Sequence, residues 1–266
     1  WISSSDCSHW CVFSCTSRAS VSALLYIQWE ATPASVTAMR GLLKQTGPSY
    51  VTLTVSEAHK RNKSAESDPA LAVSSGSGFV VDKSGYILTA AHVAMQKGYT
   101  VTARGSDGRL YSGKVIAIRP NNDMALIKLS GFEGSPAHPI GDPCLARGAT
   151  VFTLGKPHAQ GDTARIGQVE TMHFGRAVQY GPFGYPDAMV LRMSTQKGES
   201  GGPVFNESGE LTGMVVSTLS DGNGRPLNLA HALPSTSLAN FLCGSITCSS
   251  NWRALANRTT QSCPQS

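Results

Sequence analysis

The sequence predicts an all-β protein whose core is two successive sets of about six short strands. Three observations predict it. Runs of β-type residues, three to nine long, recur with turns about 8–12 residues apart. Glycine is abundant, at 27 of 266 residues, which suits tight turns better than helices. A Gly/Pro-rich stretch from Gly131 to Pro143 divides the runs into two groups. By themselves these features fit either a sandwich or a pair of barrels.

Residues 1–46 lack strand alternation and read as a leader or extension. Their one helix-like piece, Ser35 to Gln45, sets Val36, Met39, Leu42 and Leu43 on a single face. The first set of strands is expected at Tyr50–Val55, Gly78–Val81, Tyr86–Thr89, Tyr99–Ala103, Leu110–Ile118 and Met124–Leu129. The second is expected at Thr150–Leu154, Ala164–Thr171, Ala188–Met193, Pro203–Phe205, Leu211–Ser217 and Leu227–Leu233, closed by a helix over Ser235–Leu242. The expected organisation is therefore an extension (1–46), a core (47–243) with halves at about 47–135 and 145–243, and a loose, polar, Cys-containing tail (244–266).

Composition removes several classes of function. Charged residues are only 15% of the chain and the net charge is +5. Basic residues are scattered except for His59-Lys60-Arg61-Asn62-Lys63, which reads as a solvated loop, so no nucleic-acid partner is expected. The longest apolar run, Val21 to Trp29, is about half the roughly 20 residues needed to span a bilayer, so no transmembrane segment is expected. Seven cysteines (7, 11, 15, 144, 243, 248 and 263) leave at least one thiol free or paired between chains. Cys7, Cys11 and Cys15 would stack on one helical face, but no His pair stands at zinc-finger spacing; disulfides are preferred to a metal site. An extracytoplasmic, secreted or organellar location is favoured over the cytosol.

Three polar residues at the edges of β-type runs carry the candidate chemistry. Ser200 lies in Lys197-Gly198-Glu199-Ser200-Gly201-Gly202-Pro203, where flanking glycines permit a tight turn. Such a turn can present the hydroxyl and leave the amides of Gly198 and Ser200 free to bind a developing oxyanion. His92 follows Leu88-Thr89-Ala90-Ala91, whose small side chains leave both edges of the ring open, as a base that also needs an orienting partner requires. Asp123 opens the apolar run Met124-Ala125-Leu126-Ile127, a strand mouth that can bury a carboxylate against an imidazole.

Taken together in the order His, Asp, Ser, the motifs T-A-A-H, D-M-A-L and G-E-S-G-G-P resemble those of the chymotrypsin-like serine peptidases. The stretch Ser75-Gly76-Ser77-Gly78-Phe79-Val80-Val81, with Gly85-Tyr86-Ile87-Leu88-Thr89 after it, is similar to the HtrA/Deg group, as are Asn206 to Gly213 and Ala232 to Ser235. The likeness covers about residues 48–243. It implies two perpendicular six-stranded antiparallel barrels with a short C-terminal helix and with His92, Asp123 and Ser200 in the cleft between them. It also implies protein or peptide substrates, acyl-enzyme chemistry without cofactor or metal, and a role in protein quality control or processing.

Departures from the group set further expectations. Only 23 residues follow Cys243, too few for a PDZ domain, and the unmatched N-terminal residues leave monomer and trimer both open. By the resemblance, the specificity pocket would be lined by Ser194, Val216, Ser217, Thr218 and His231. No Asp stands six residues before Ser200, which argues against cleavage after Arg or Lys; His231 points to small apolar or polar-acidic side chains. A catalytically silent peptide-binding protein of the same fold and an esterase-type acyl hydrolase are the alternatives. The latter sits poorly with the chain order, since α/β-hydrolases run Ser, Asp, His.

Overall fold

The computed structural model describes residues 33–57, 72–132, 134–158, 161–258 and 263; the basic run at 59–63 and Cys7, Cys11 and Cys15 lie outside these. Helix α1 (Pro33–Thr46) leads into β1 (Tyr50–Ser56), β2 (Ala72–Asp82) and β3 (Tyr86–Thr89). A single helical turn, α2 (Ala91–Ala94), precedes β4 (Thr100–Gly105), β5 (Leu110–Arg119) and β6 (Met124–Leu129). The second half contains β7 (Thr150–Gly155), β8 (Thr163–Thr171), the short pair β9 (Val178–Tyr180) and β10 (Phe183–Tyr185), β11 (Met189–Arg192), β12 (Pro203–Asn206), β13 (Leu211–Ser220) and β14 (Pro226–Pro234). Helices α3 (Ser235–Ser245) and α4 (Ser250–Ala256) follow.

The sheets close into two barrels, in the orders β1-β2-β3-β6-β5-β4 and β11-β14-β13-β12-β7-β8, which settles the choice between sandwich and barrels. Closure pairs each barrel strand on both sides and leaves no sheet edge open to aggregation. Alternation drives the closure: Val51, Leu53 and Val55 of β1 point inward and are at most 2% exposed. In the second barrel Val151, Val169, Leu191, Val204 and Val215 form the corresponding interior.

Three features differ from, or add to, the sequence expectation. The β9–β10 hairpin was not anticipated, because strands of three residues in a Gly/Pro-containing segment are too short to leave a period-two signature. The register of β13 against β14 shifts between Val215 and Ser217, a bulge that places Ser217 opposite His231. The tail is not loose where it is described. Trp252 and Leu255 of α4 are both 2% exposed, and disulfides join Cys243 to Cys248 and Cys144 to Cys263. Polar composition concealed two apolar anchors three residues apart on one helical turn. At the other end, α1 buries Met39 in the core and its Gln45 amide donates to the Ser208 carbonyl at 3.3 Å.

Candidate active site

Asp123 is placed by an unusual piece of backbone. A 3-10 turn, Pro120–Asn122, ends on Asp123 in the left-handed region at φ 47°, which Asp tolerates better than most side chains. The residue is fully buried, and its Oδ1 accepts the His92 backbone N–H at 3.0 Å. Its Oδ2 lies 2.8 Å from His92 Nδ1. The imidazole comes from α2, where buried Ala90, Ala91 and Ala94 let the turn sit tightly against the first barrel. The helix stops at Met95, itself at φ 65°. Two contacts from one carboxylate, to backbone and to ring, hold the imidazole in a fixed plane with Nδ1 as donor.

Ser200 lies across a cavity of about 470 Å³ that is lined also by His92, Gly198, His158, Lys197 and Ser75. Among the described residues, no hydrogen bond joins its hydroxyl to the imidazole. The surrounding turn is tightly specified. Gly198 (φ 99°) and Gly201 (φ 83°) both adopt left-handed backbone; a Cβ would strike the Lys156 carbonyl at the first and the Ser77 carbonyl at the second. The N–H groups of Gly201 and Gly202 donate to Val215 and Glu199 carbonyls at 2.8 and 3.0 Å. Among the described residues, those of Gly198 and Ser200 donate to no protein group, so both remain available to an oxyanion.

The Ser75-Gly76-Ser77 motif acquires a structural reason here. From the first barrel, the Ser77 backbone N–H donates to the Ser200 carbonyl at 2.9 Å and its hydroxyl donates to the Gly198 carbonyl, also at 2.9 Å. One buried serine therefore clamps both ends of the Gly198–Ser200 turn. Gly76 has no room for a Cβ, which would meet Val93 at 2.7 Å. On the other side, Glu199 is only 1% exposed and takes both contacts from Arg165 Nε, at 2.6 and 2.9 Å, plus the Gln196 backbone N–H. Burial pushes the Glu199 carboxyl up, while Arg165 and the Gln196 N–H draw it back.

The five residues expected to form a specificity pocket are brought together only in part. His231 and Ser217 face each other, and the Tyr185 hydroxyl bonds to both, at 2.8 Å to His231 Nδ1 and 2.9 Å to Ser217 Oγ. His231 is fully buried against the Phe174 ring (centroids 4.3 Å apart), and its Nε2 has no partner among the described residues. Desolvation, helped by the charge of Arg176, lowers its basicity. Val216 is buried in the bulge, Thr218 bonds instead to Thr195 at 2.7 Å, and Ser194 is exposed.

The groups supplied by β9 and β10 are not legible in the sequence. The Tyr180 hydroxyl donates to Asp123 Oδ2 and lies 3.4 Å from His92 Nδ1. The Tyr180 and Phe183 rings stand edge-on to the imidazole, with centroids 5.6 and 6.4 Å away. Their only signal was an aromatic cluster, Phe174, Tyr180, Phe183 and Tyr185, in a segment otherwise rich in Gly and Pro.

Two closed barrels of six strands, with Ser200 and His92 lining one cavity and Asp123 bonded to His92, are the arrangement of the double-barrel peptidase class. The family model for the trypsin-like peptidase domain matches residues 76–214, and the chain belongs to that family. It is 34% identical over 167 residues to a probable periplasmic serine endoprotease, DegP-like, of Brucella suis, with 62% of this chain and 31% of that protein aligned. It is 33% identical over 172 residues to the putative serine protease HhoA of Synechocystis, covering 60% and 42%. The chain thus spans about a third to two fifths of the length of these curated relatives. Its fold matches the active form of the Rv3671c protease from M. tuberculosis with a TM-score of 0.63, 22% identity, and coverage of 91% and 98%. The HtrA-type protease AlgW with a tripeptide gives 0.63, 22%, and coverage of 78% and 62%.

Proposed function

We propose that the protein is an HtrA-like serine endopeptidase that hydrolyses peptide bonds of protein substrates through an acyl-enzyme. The observation that carries this reading is the double contact of buried Asp123 to His92, in a cavity lined by His92, Ser200 and Gly198, with the N–H groups of Gly198 and Ser200 bonded to no described protein group. In the reaction, Ser200 Oγ attacks the scissile carbonyl as His92 Nε2 takes its proton. Asp123 holds the Nδ1–H tautomer and stabilises the imidazolium. The Gly198 and Ser200 amides receive the oxyanion, each worth about 2.7–4 kcal/mol. His92 then protonates the leaving amine, and water repeats the sequence to release the acyl group. Two disulfides and relatives named as periplasmic support an oxidising, extracytoplasmic setting.

The test is labelling with a fluorophosphonate probe, mapped by peptide mass spectrometry, followed by casein digestion. Adduct at Ser200 together with digestion is the expected result. Adduct without proteolysis would favour an acyl hydrolase of other substrates, and absence of adduct would favour a binding protein.

Ser194, Val216, Ser217, Thr218 and His231 are proposed as the wall of the specificity pocket, with the buried, unpartnered His231 Nε2 as its discriminating group. Replacing His231 with Phe is expected to shift a peptide-library profile away from polar and acidic side chains; an unchanged profile would rule the role out. The same substitution changes acid stability. A histidine held neutral by burial binds fewer protons folded than unfolded, so stability is lost as pH falls through the ordinary imidazole range near about 6.5. The His231→Phe protein is expected to lack that part of the acid-induced drop in melting temperature.

A further inference from the structure

The β9–β10 hairpin belongs to the second barrel's half of the chain, yet its side chains reach the carboxylate supplied by the first. β10 packs against the 3-10 turn that ends on Asp123. Asp123 Oδ1 already accepts the His92 backbone N–H, and Oδ2 already faces Nδ1. The Tyr180 hydroxyl adds a third donor, on Oδ2. At its other end the hairpin is fixed by Tyr185, whose hydroxyl is bonded to Ser217 and His231. We propose that this hairpin is a strap across the cleft and that Tyr180 is a positioning residue, acting through Asp123 to hold the His92 imidazole in its working orientation.

Three considerations support the assignment. A carboxylate accepts several donors, and contacts from two different elements fix its rotation as well as its position. Asp123 sits in a sparsely populated backbone region, which persists only where the surroundings over-determine it. Burial, reinforced by the Asp123 charge, pushes the Tyr180 phenol far above its ordinary value, so the hydroxyl stays a donor over the working pH range.

This inference rests on the serine-peptidase reading. Its test is kinetic, on the whole chain. Tyr180→Phe, which keeps the ring, is expected to lower kcat about ten- to a hundredfold, the effect of losing one hydrogen bond to a charged group. KM should stay within about twofold. In an Asp123→Ala background the same substitution should cost nothing more, because the group it acts through is gone. The downfield proton resonance of His92 Nδ1–H should also move, a readout that needs no substrate. Gln179→Ala, on the exposed face of the same hairpin, should leave kcat unchanged. Equal fractional losses with and without Asp123, an unmoved resonance, or an unaltered kcat in Tyr180→Phe would each overturn the proposal while wild-type labelling stands. If the wild type itself takes no fluorophosphonate, the peptidase reading falls and this one with it.

Discussion

Ser200→Ala is expected to lower kcat about a millionfold while leaving KM and the melting temperature close to those of the parent. The hydroxyl makes no hydrogen bond to the protein among the described residues, and the side chain is half-buried at the cavity, so its removal creates no void and orphans no partner. The turn does not depend on it either. Its shape is set by Gly198 and Gly201 and by the Ser77 clamp, all of which use backbone atoms of residues 198–201. What disappears is the covalent step alone. Residual turnover comes from the two free N–H groups and substrate binding, which in such sites still contribute about 10³–10⁴ over water. Because nucleophile and base act as one unit, the double variant with His92→Ala should be no slower than Ser200→Ala. Asp123→Asn should cost less, about 10⁴, by favouring the wrong imidazole tautomer. Steady-state rates and calorimetry on the variants check each point; Ser200→Ala retaining more than a few per cent of activity would displace Ser200 as nucleophile.

The fold was largely legible because barrel strands carry their own signal. Tyr86–Thr89 and Met124–Leu129 are found where the sequence places them, since alternating or fully buried apolar runs bounded by turns leave little ambiguity. The candidate triad was legible for a different reason: each member lies where a strand meets a turn, and close backbone approach there forces small residues or glycine. Groups that act across the chain left no such trace. Arg165 is the third residue of β8 and reads as a surface-facing strand residue until Glu199 is seen against it. Tyr180 reads as one aromatic in an irregular loop, because its partner stands 57 residues earlier. The docking of the C-terminal residues leaves little trace in the sequence, because composition reports average polarity whereas docking needs only Trp252, Leu255 and two cystines.

The second large effect is expected from Arg165→Ala. The Arg165–Glu199 pair is almost wholly buried, and Glu199 immediately precedes Ser200. Removing only the cation leaves a carboxylate without its partner in a dry site, which typically costs about 3–5 kcal/mol. At about 2–4 °C per kcal/mol for a chain of this size, the melting temperature should fall by roughly 10 °C. The loss should depend on pH in a defined sense. Burial already raises the Glu199 carboxyl, and without Arg165 nothing but the Gln196 N–H opposes that rise. A group whose folded value lies above its unfolded one contributes stability that is full below the unfolded value and is lost as pH climbs through the folded one. The Arg165→Ala deficit should therefore be smaller near pH 5 than near pH 8. Activity should fall as well, because Glu199 bonds to the Gln196 N–H and so braces the turn that carries Gly198 and Ser200. Packing offers no substitute brace: Gly155 already presses on Glu199, where a Cβ would lie 2.8 Å from its Cγ. Replacing both partners by neutral groups, Arg165→Met with Glu199→Gln, should restore much of the stability, since no charge is then left buried alone. It should restore less of the activity if the ion pair orders the turn. Recovery of both in parallel would instead assign the pair to stability alone.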